Sequence, residues 1–149
     1  MSVNERANLK LLGKNQEDLK VISAYLQDSI LIIKDTVFLK RNRTFVMIVN
    51  RFMWEDAEKG VFRQNKRIRC AVKFDEVIKV ESRNINQKNK NKLLECLAIK
   101  CSSAFDETYK IKIFFAGDSI ITITSEVIEV TLHDLGKPWQ VKHIPVHKI

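Results

Sequence analysis

The stretch Ile30–Glu55, ILIIKDTVFLKRNRTFVMIVNRFMWE, constrains the fold most. It holds two long apolar segments rich in β-branched and aromatic residues, parted by Lys40-Arg41-Asn42-Arg43. Residues of this kind fit a pleated surface, and a short polar cluster between two such runs predicts a β-hairpin. Its arms are expected at Ile30–Lys40, bent near Lys34-Asp35, and at Thr44–Phe52.

The alternation continues downstream. Ile68, Cys70, Val72 and Phe74 share one parity and Arg67, Arg69, Ala71 and Lys73 the other, which predicts a strand with one face buried and one wet. The first parity resumes at Ile78 and Val80, with a bulge or bend at Asp75-Glu76 to accommodate Glu76. Leu93–Cys101 has mixed parity, which suggests burial on both faces. Tyr109, Ile111, Ile113 and Phe115 alternate with Lys110, Lys112 and Phe114, which predicts another strand. Ala116-Gly117-Asp118-Ser119 then reads as a tight hairpin turn. Over Ser125–Leu135, β-branching favours a bulged strand, with a closing helix as the alternative. Gly136-Lys137-Pro138 is expected to stop it, with Trp139 anchoring the tail.

Leu9–Leu12 suggests a short strand stopped at Gly13. Helical spacing is confined to Leu19, Ile22, Tyr25, Leu26 and Ser29. Asn15 is a fair N-cap, and Glu17 and Asp18 suit the first turn, so one amphipathic helix is predicted over Gln16–Ser29. Its apolar stripe is narrow enough to lie on a sheet. A second helical turn is expected at Trp54–Lys59, ended by Gly60. The predicted architecture is α+β: an N-terminal amphipathic helix on a mostly antiparallel, barrel-like meander of about six long strands. It resembles pleckstrin-homology-like and other small barrels in outline.

With 149 residues, a single domain over 1–149 is expected, residues 1–8 being polar and frayed. No apolar run approaches the roughly 18 residues of a membrane span, and MSVNERANLK lacks a signal-peptide core, so a cytoplasmic protein without a membrane partner is expected. Cys70, Cys96 and Cys101 show no CxxC spacing and read as buried small hydrophobes. His133, His143 and His147 are the candidates for a metal site, but Pro145 keeps the last two off a shared helix face. There is no glycine-rich nucleotide loop and no HExxH motif. No catalytic residue, cofactor or metal ligand is nominated, and the reading leans away from an enzyme.

Two constellations remain. The formal net charge of +8 favours an acidic partner, either RNA or an acidic protein. In an uninterrupted meander, the turn at Lys40–Arg43, the loop at Asn84–Lys92 and the Gly117-Asp118 turn fall at one end of the sheet. Lys40, Arg41, Arg43, Arg83, Lys88, Lys90 and Lys92 would then form one cationic rim able to meet a phosphate backbone. The alternative is that charged loop tips keep sheet ends soluble. The second constellation is Gln27, Asp28, Asn50, Arg51, Trp54 and Glu55. An arginine interrupting an apolar strand needs a carboxylate, and Asp28 and Glu55 are the candidates. The group is either an anion or peptide pocket with a Trp wall or an ion pair tying the helix end to the sheet.

These residues also carry a resemblance. Leu26-Gln27-Asp28, Asn50-Arg51-Phe52 with Trp54-Glu55, then Phe74, Val77, Val80 and Ser82 occur in order. Phe115-Ala116-Gly117, and finally Leu132, Asp134, Leu135, Gly136 and Trp139, complete the series. In this pattern the chain resembles, nearly end to end, an alphaproteobacterial family known as domain of unknown function 2948. Tyr25 departs from the histidine expected there, which weakens any idea of a catalytic histidine on the helix, and Asp118 from a second glycine. The resemblance implies a small bacterial cytoplasmic protein and a single fold, and it implies no activity. Three readings follow: a non-enzymatic binding or adaptor module for an acidic macromolecule; a small-molecule-binding barrel, as a binder or as an enzyme, with its pocket near Asn50, Arg51 and Trp54; and a homo-oligomer built through exposed sheet edges.

Overall fold

The computed structural model describes residues 8–57, 65–142 and 144–145. The expectations on residues 1–7, Gly60, His143 and His147 lie outside the described residues.

Nine strands form one antiparallel ladder: β1 (Lys10–Gly13), β2 (Ile30–Leu39), β3 (Thr44–Phe52), β4 (Lys66–Phe74), β5 (Val77–Arg83), β6 (Leu93–Ser103), β7 (Tyr109–Phe115), β8 (Ser119–Ser125) and β9 (Val130–Gln140). The order across the sheet is β1-β9-β4-β3-β2-β6-β7-β8-β5. Among the described residues the ladder begins at β1 and ends at β5, so the sheet is not closed into a barrel, and it has nine strands where about six were expected. One helix, α1 (Gln16–Leu26), follows β1, and a single turn, α2 (Trp54–Ala57), follows β3.

α1 starts where the sequence places it. Asn15 is extended, and its side chain accepts a hydrogen bond from the Asp18 amide at 2.8 Å. Leu19, Ile22 and Leu26 are buried. The helix packs on β6 and β1, and Gly13 makes the close approach to β1 feasible: a Cβ there would lie 2.8 Å from Ile22 Cδ1. It ends before Ser29, the predicted limit, because Asp28 takes a left-handed φ of 62°. That reversal hands the chain to β2, with the Asp28 amide donating to the Cys96 carbonyl at 2.8 Å.

The β2–β3 hairpin closes through a 3-10 turn at Lys40–Asn42 and a left-handed Arg43, and its ladder slips between Leu31 and Thr36, where the bend was expected. The predicted turn at Gly117-Asp118 is present, with φ of 81° and 60°, positive at both central positions as a type I′ hairpin turn requires.

Four expectations are corrected. Asp75-Glu76 is not a bulge within one strand. Glu76 has a φ of 55°, and the chain turns a corner there, leaving β4 for β5 at the far edge of the ladder. The parity therefore breaks: Val77 is buried and Ile78 exposed. Leu93–Cys101 is not buried on both faces. Its mixed parity comes from a bulge between Cys96 and Ala98, which exposes Leu97 and keeps Leu94, Cys96 and Ile99 inside. The stretch after Ser125 is neither one bulged strand nor a helix, because β8 pairs with β5 and β7 whereas β9 pairs with β4 and β1. Gly136-Lys137-Pro138 does not end β9. The three residues sit in an irregularity, with Gly136 at φ 70° and the register shifting between Arg67 and Arg69.

The core runs through the curl of the sheet. Met47, Val49, Cys70, Val72, Ile113, Ile123, Val130 and Leu132 are each no more than 2% exposed. Cys70 and Cys96 are buried and Cys101 is half-buried. Burial pushes the Cys96 thiol up to about 12, with the nearby Asp28 charge adding to it, and burial likewise raises Cys70. In an alkylation experiment near pH 8, Cys101 is expected to react first, and Cys70 and Cys96 only at the rate of unfolding. The Cys96 thiol keeps its proton in the native state up to about 12, whereas its ordinary value is 9.0. Across that window the unfolded chain binds fewer protons, so stability falls as pH rises, and denaturant titrations on either side of it check this.

Candidate functional site

Two regions concentrate polar chemistry, and the corner at Glu76 decides how they lie.

The first is built on the end of β3. Its inward parity runs through Phe45, Met47 and Val49 and continues to Arg51, which is fully buried. Its guanidinium is held from two sides. Nε and Nη2 donate to Asp134 at 2.7 and 2.6 Å, and Nη1 and Nη2 donate to Glu55 at 2.9 and 2.7 Å. The Tyr25 ring centroid lies 5.4 Å from Cζ. Burial alone would lower the Arg51 pKa, but hydrogen bonds and charge from Asp134 and Glu55 outweigh it and hold the group above its ordinary value. Of the expected carboxylates, Glu55 pairs with Arg51 across one turn, and the other partner is Asp134 from β9.

Backbone carbonyls of Gln27, Asp28 and Asn50 take hydrogen bonds from neighbouring side chains. Trp54 Nε1 donates to the Gln27 carbonyl at 2.8 Å, and the indole meets Phe52 edge-on. Arg67 Nη1 donates to the carbonyls of Asp28 and Asn50 at 3.1 and 3.0 Å. These bonds join the end of α1 to β3 and β4. An anion arriving at Arg51 would have to displace a carboxylate, so the arrangement suits a strut better than an open anion pocket.

The second region is a seam. The first residues of β2, Ile30–Ile32, pair with β6, and the Ile33 and Lys34 amides donate to the carbonyls of Lys92 and Lys90. Beyond that point β2 has β3 on one side and no ladder on the other among the described residues. β5 comes round the corner and faces this free edge, itself laddered to β8 alone among the described residues. Between them lies a groove of two adjoining cavities, about 470 and 560 Å³. Its floor is apolar, formed by Leu31, Phe45, Leu94 and Ile121, and Phe38 and Val80 line both cavities. Val37 and Ile78 stand half exposed at its margins.

Cations line the groove: Lys34 and Lys90 in one cavity, Lys40, Arg43 and Lys79 in the other. Its two carboxylates, Glu81 and Glu126, are already engaged, with Lys79 at 3.4 Å and Arg43 at 2.8 Å. Arg43 also approaches Glu76 at 3.7 Å, and the Glu126 hydrogen bond raises its pKa. Lys34, Lys40 and Lys90 are exposed and carry no ion pair among the described residues.

The expected single rim is divided. The loop at Asn84–Lys92 does meet the Gly117-Asp118 turn: Asn84 Nδ2 donates to the Gly117 carbonyl and Ser119 Oγ to the Asn84 carbonyl. Arg83, Lys88, Lys90 and Lys92 belong to that end. Lys40, Arg41 and Arg43 belong to the other, because the Val77 amide donates to the Arg43 carbonyl at the opposite end of β5. The seven residues of β5 put roughly 20 Å between the two groups. The physical reason is the corner, which sends the chain back along the groove.

Sequence reasoning passed over Asp134, Lys34 and Lys79. Asp134 had a signal: Val130, Leu132 and Asp134 share one parity, which puts a carboxylate on a core face. The two lysines had none, since the facing of β2 and β5 depends on the corner.

Among the described residues, no group of three or more His, Cys, Asp or Glu side chains is placed to hold a metal ion, and no helix is long and apolar enough to cross a membrane. Fold and site together define a mostly antiparallel β-sheet domain with one helix, an internal ion-pair strut and an open seam. Residues 9–147 match the family described as "Protein of unknown function (DUF2948)", and the chain belongs to it. No curated protein matches it, and neither does any solved structure.

Proposed function

We propose that this protein is a non-enzymatic binding module whose partner is an acidic protein segment held in the groove between β2 and β5. The observation that carries this reading is the pairing of an apolar floor with walls whose unengaged charges, Lys34, Lys40 and Lys90, are all positive. The half-buried Phe38, Val80 and Ile85, backed by the core residues Leu31, Phe45, Leu94 and Ile121, offer apolar surface to side chains, which a phosphate backbone does not supply. The separation of the cationic groups also favours a ligand that runs along the groove over a duplex lying across one end.

The test is selection of random peptides of about eight residues, enough to follow a ~20 Å groove, against the full chain. Enriched peptides are expected to mix acidic and apolar residues, and to bind tenfold or more weakly to the double variant Lys34→Glu, Lys90→Glu. Both lysines are exposed, so the fold is expected to survive the change. Peptides indifferent to the charge reversal would sink the proposal. So would a labelled RNA oligonucleotide that outcompetes every peptide, with the steep salt dependence of phosphate contacts.

A further inference from the structure

We infer that the bound segment adds to the sheet as a strand, filling the seam between β2 and β5; this rests on the binding reading above and specifies its mode and the chemistry of the partner. The inference starts from backbone groups. In an antiparallel pair, alternate residues direct both N–H and C=O at the partner strand, and the residues between direct theirs away. Thr36–Leu39 of β2 are laddered to β3, so alternate residues there aim their groups into the seam. Lys79–Arg83 of β5 are laddered to β8, and alternate residues there aim theirs into the same seam from the other side. Among the described residues no ladder joins the two edges.

Facing free edges of this kind are unusual, since edge strands invite pairing and are covered, charged or kept short. Here the edges are flanked by lysines, which discourage another basic edge such as a second copy of this chain and admit an acidic strand. The groove is also long enough. It reaches from Lys34 and Lys90 at one end to Lys40 and Arg43 at the other, about six residues of extended chain. Because β2 and β5 run in opposite directions across it, an inserted strand lies antiparallel to one and parallel to the other, as mixed sheets allow.

The pleat then sets the partner's sequence. Successive side chains of an inserted strand point to opposite faces. One set faces the apolar floor, where the half-buried Phe38, Val80 and Ile85 lie over the core residues Leu31, Phe45, Leu94 and Ile121, and the other faces outward beside the lysines. The fitting segment alternates apolar residues with aspartate or glutamate over about six positions. Val37 and Ile78, half exposed at the margins, gain apolar neighbours when it is seated.

The test uses a capped peptide of about eight residues in which valine alternates with glutamate, and a series of its variants carrying a single backbone N-methyl group at each position in turn. Calorimetry with the full chain gives affinities. Insertion between two edges predicts that methylation at every central position weakens binding tenfold or more, because amides of one parity donate to one edge and those of the other parity to the opposite edge. Methylation at the peptide's ends leaves binding within about twofold. A two-residue rhythm would mean that only one edge is used and would overturn filling of the seam. Seam-facing amides of β2 and β5 are also expected to gain protection from hydrogen exchange. If the peptide binds, loses affinity with Lys34→Glu and Lys90→Glu, yet tolerates N-methylation everywhere, strand addition is wrong and the groove reading stands. If the peptide does not bind at all, both fall.

Discussion

Arg51→Ala is expected to destabilise the protein by about 3–5 kcal/mol, a large fraction of the roughly 5–15 kcal/mol that holds a domain together. The size follows from what is left behind. Asp134 is only 2% exposed, and both its oxygens receive Arg51, so removing the guanidinium strands a carboxylate in the core. Glu55 is less exposed to this penalty, since a fifth of its side chain reaches solvent. Arg51→Lys keeps the charge but loses the forked geometry that meets two carboxylates at once, and an intermediate loss of about 1–3 kcal/mol is expected. Replacing both buried partners, Arg51→Met with Asp134→Leu, is expected to recover most of the loss, because apolar residues of similar volume need no charge compensation. Denaturant titration of the four proteins checks the series. A loss below about 1 kcal/mol for Arg51→Ala would mean that the strut is not structural, and would reopen it as a binding site.

The strut and the groove differ in how far the sequence discloses them, and the difference is physical. Arg51 was legible because a charge on the inward parity of Phe45, Met47 and Val49 has to be compensated. Glu55, one helical turn away, was legible as compensation for the same reason. Asp134 lies 83 positions further along the chain, and only strand order decides that β9 delivers it. Local elements with a clean period were legible as well. β3 and β7 run over the residues their alternation marks, and Asn15 caps α1 as its side chain suggests.

The groove was hidden by one backbone angle. Asp75-Glu76 between two apolar runs reads equally as a bulge or a corner, and glutamate does not advertise a φ of 55° in the way glycine would. A bulge keeps Ile78 in line with Phe74 and leaves a plain meander. A corner sends β5 to the far edge of the ladder, exposes Ile78, divides the cationic rim and opens the seam. The strand count failed for the same reason: segments continuous in sequence were counted once, although β4 and β5, like β8 and β9, belong to different parts of the ladder.

Phe74→Ala is expected to have the other large effect, about 3–5 kcal/mol, because it deletes a ring at the last residue before that corner. Phe74 is 1% exposed, pairs with Phe45 across the β3–β4 ladder, and its ring centroid lies 6.0 Å from that of Phe45. For a chain of this size the cost corresponds to a fall of roughly 10 °C in thermal midpoint. Phe45 in turn forms part of the groove floor, so the cavity left by Phe74→Ala lies directly behind the surface proposed to receive apolar side chains. Two consequences are expected in the remaining folded protein: lower stability, and weaker binding of the alternating peptide as the floor relaxes into the cavity. Val37→Ser offers the contrast. Val37 is 47% exposed at the margin of the groove, so stability should change by less than about 0.5 kcal/mol while peptide affinity falls severalfold. Peptide titration and thermal denaturation of both variants separate the roles. A Phe74→Ala protein that is destabilised yet binds as tightly as the unaltered chain would show that Phe45 does not form the receiving surface, and would move the floor toward Leu94 and Ile121.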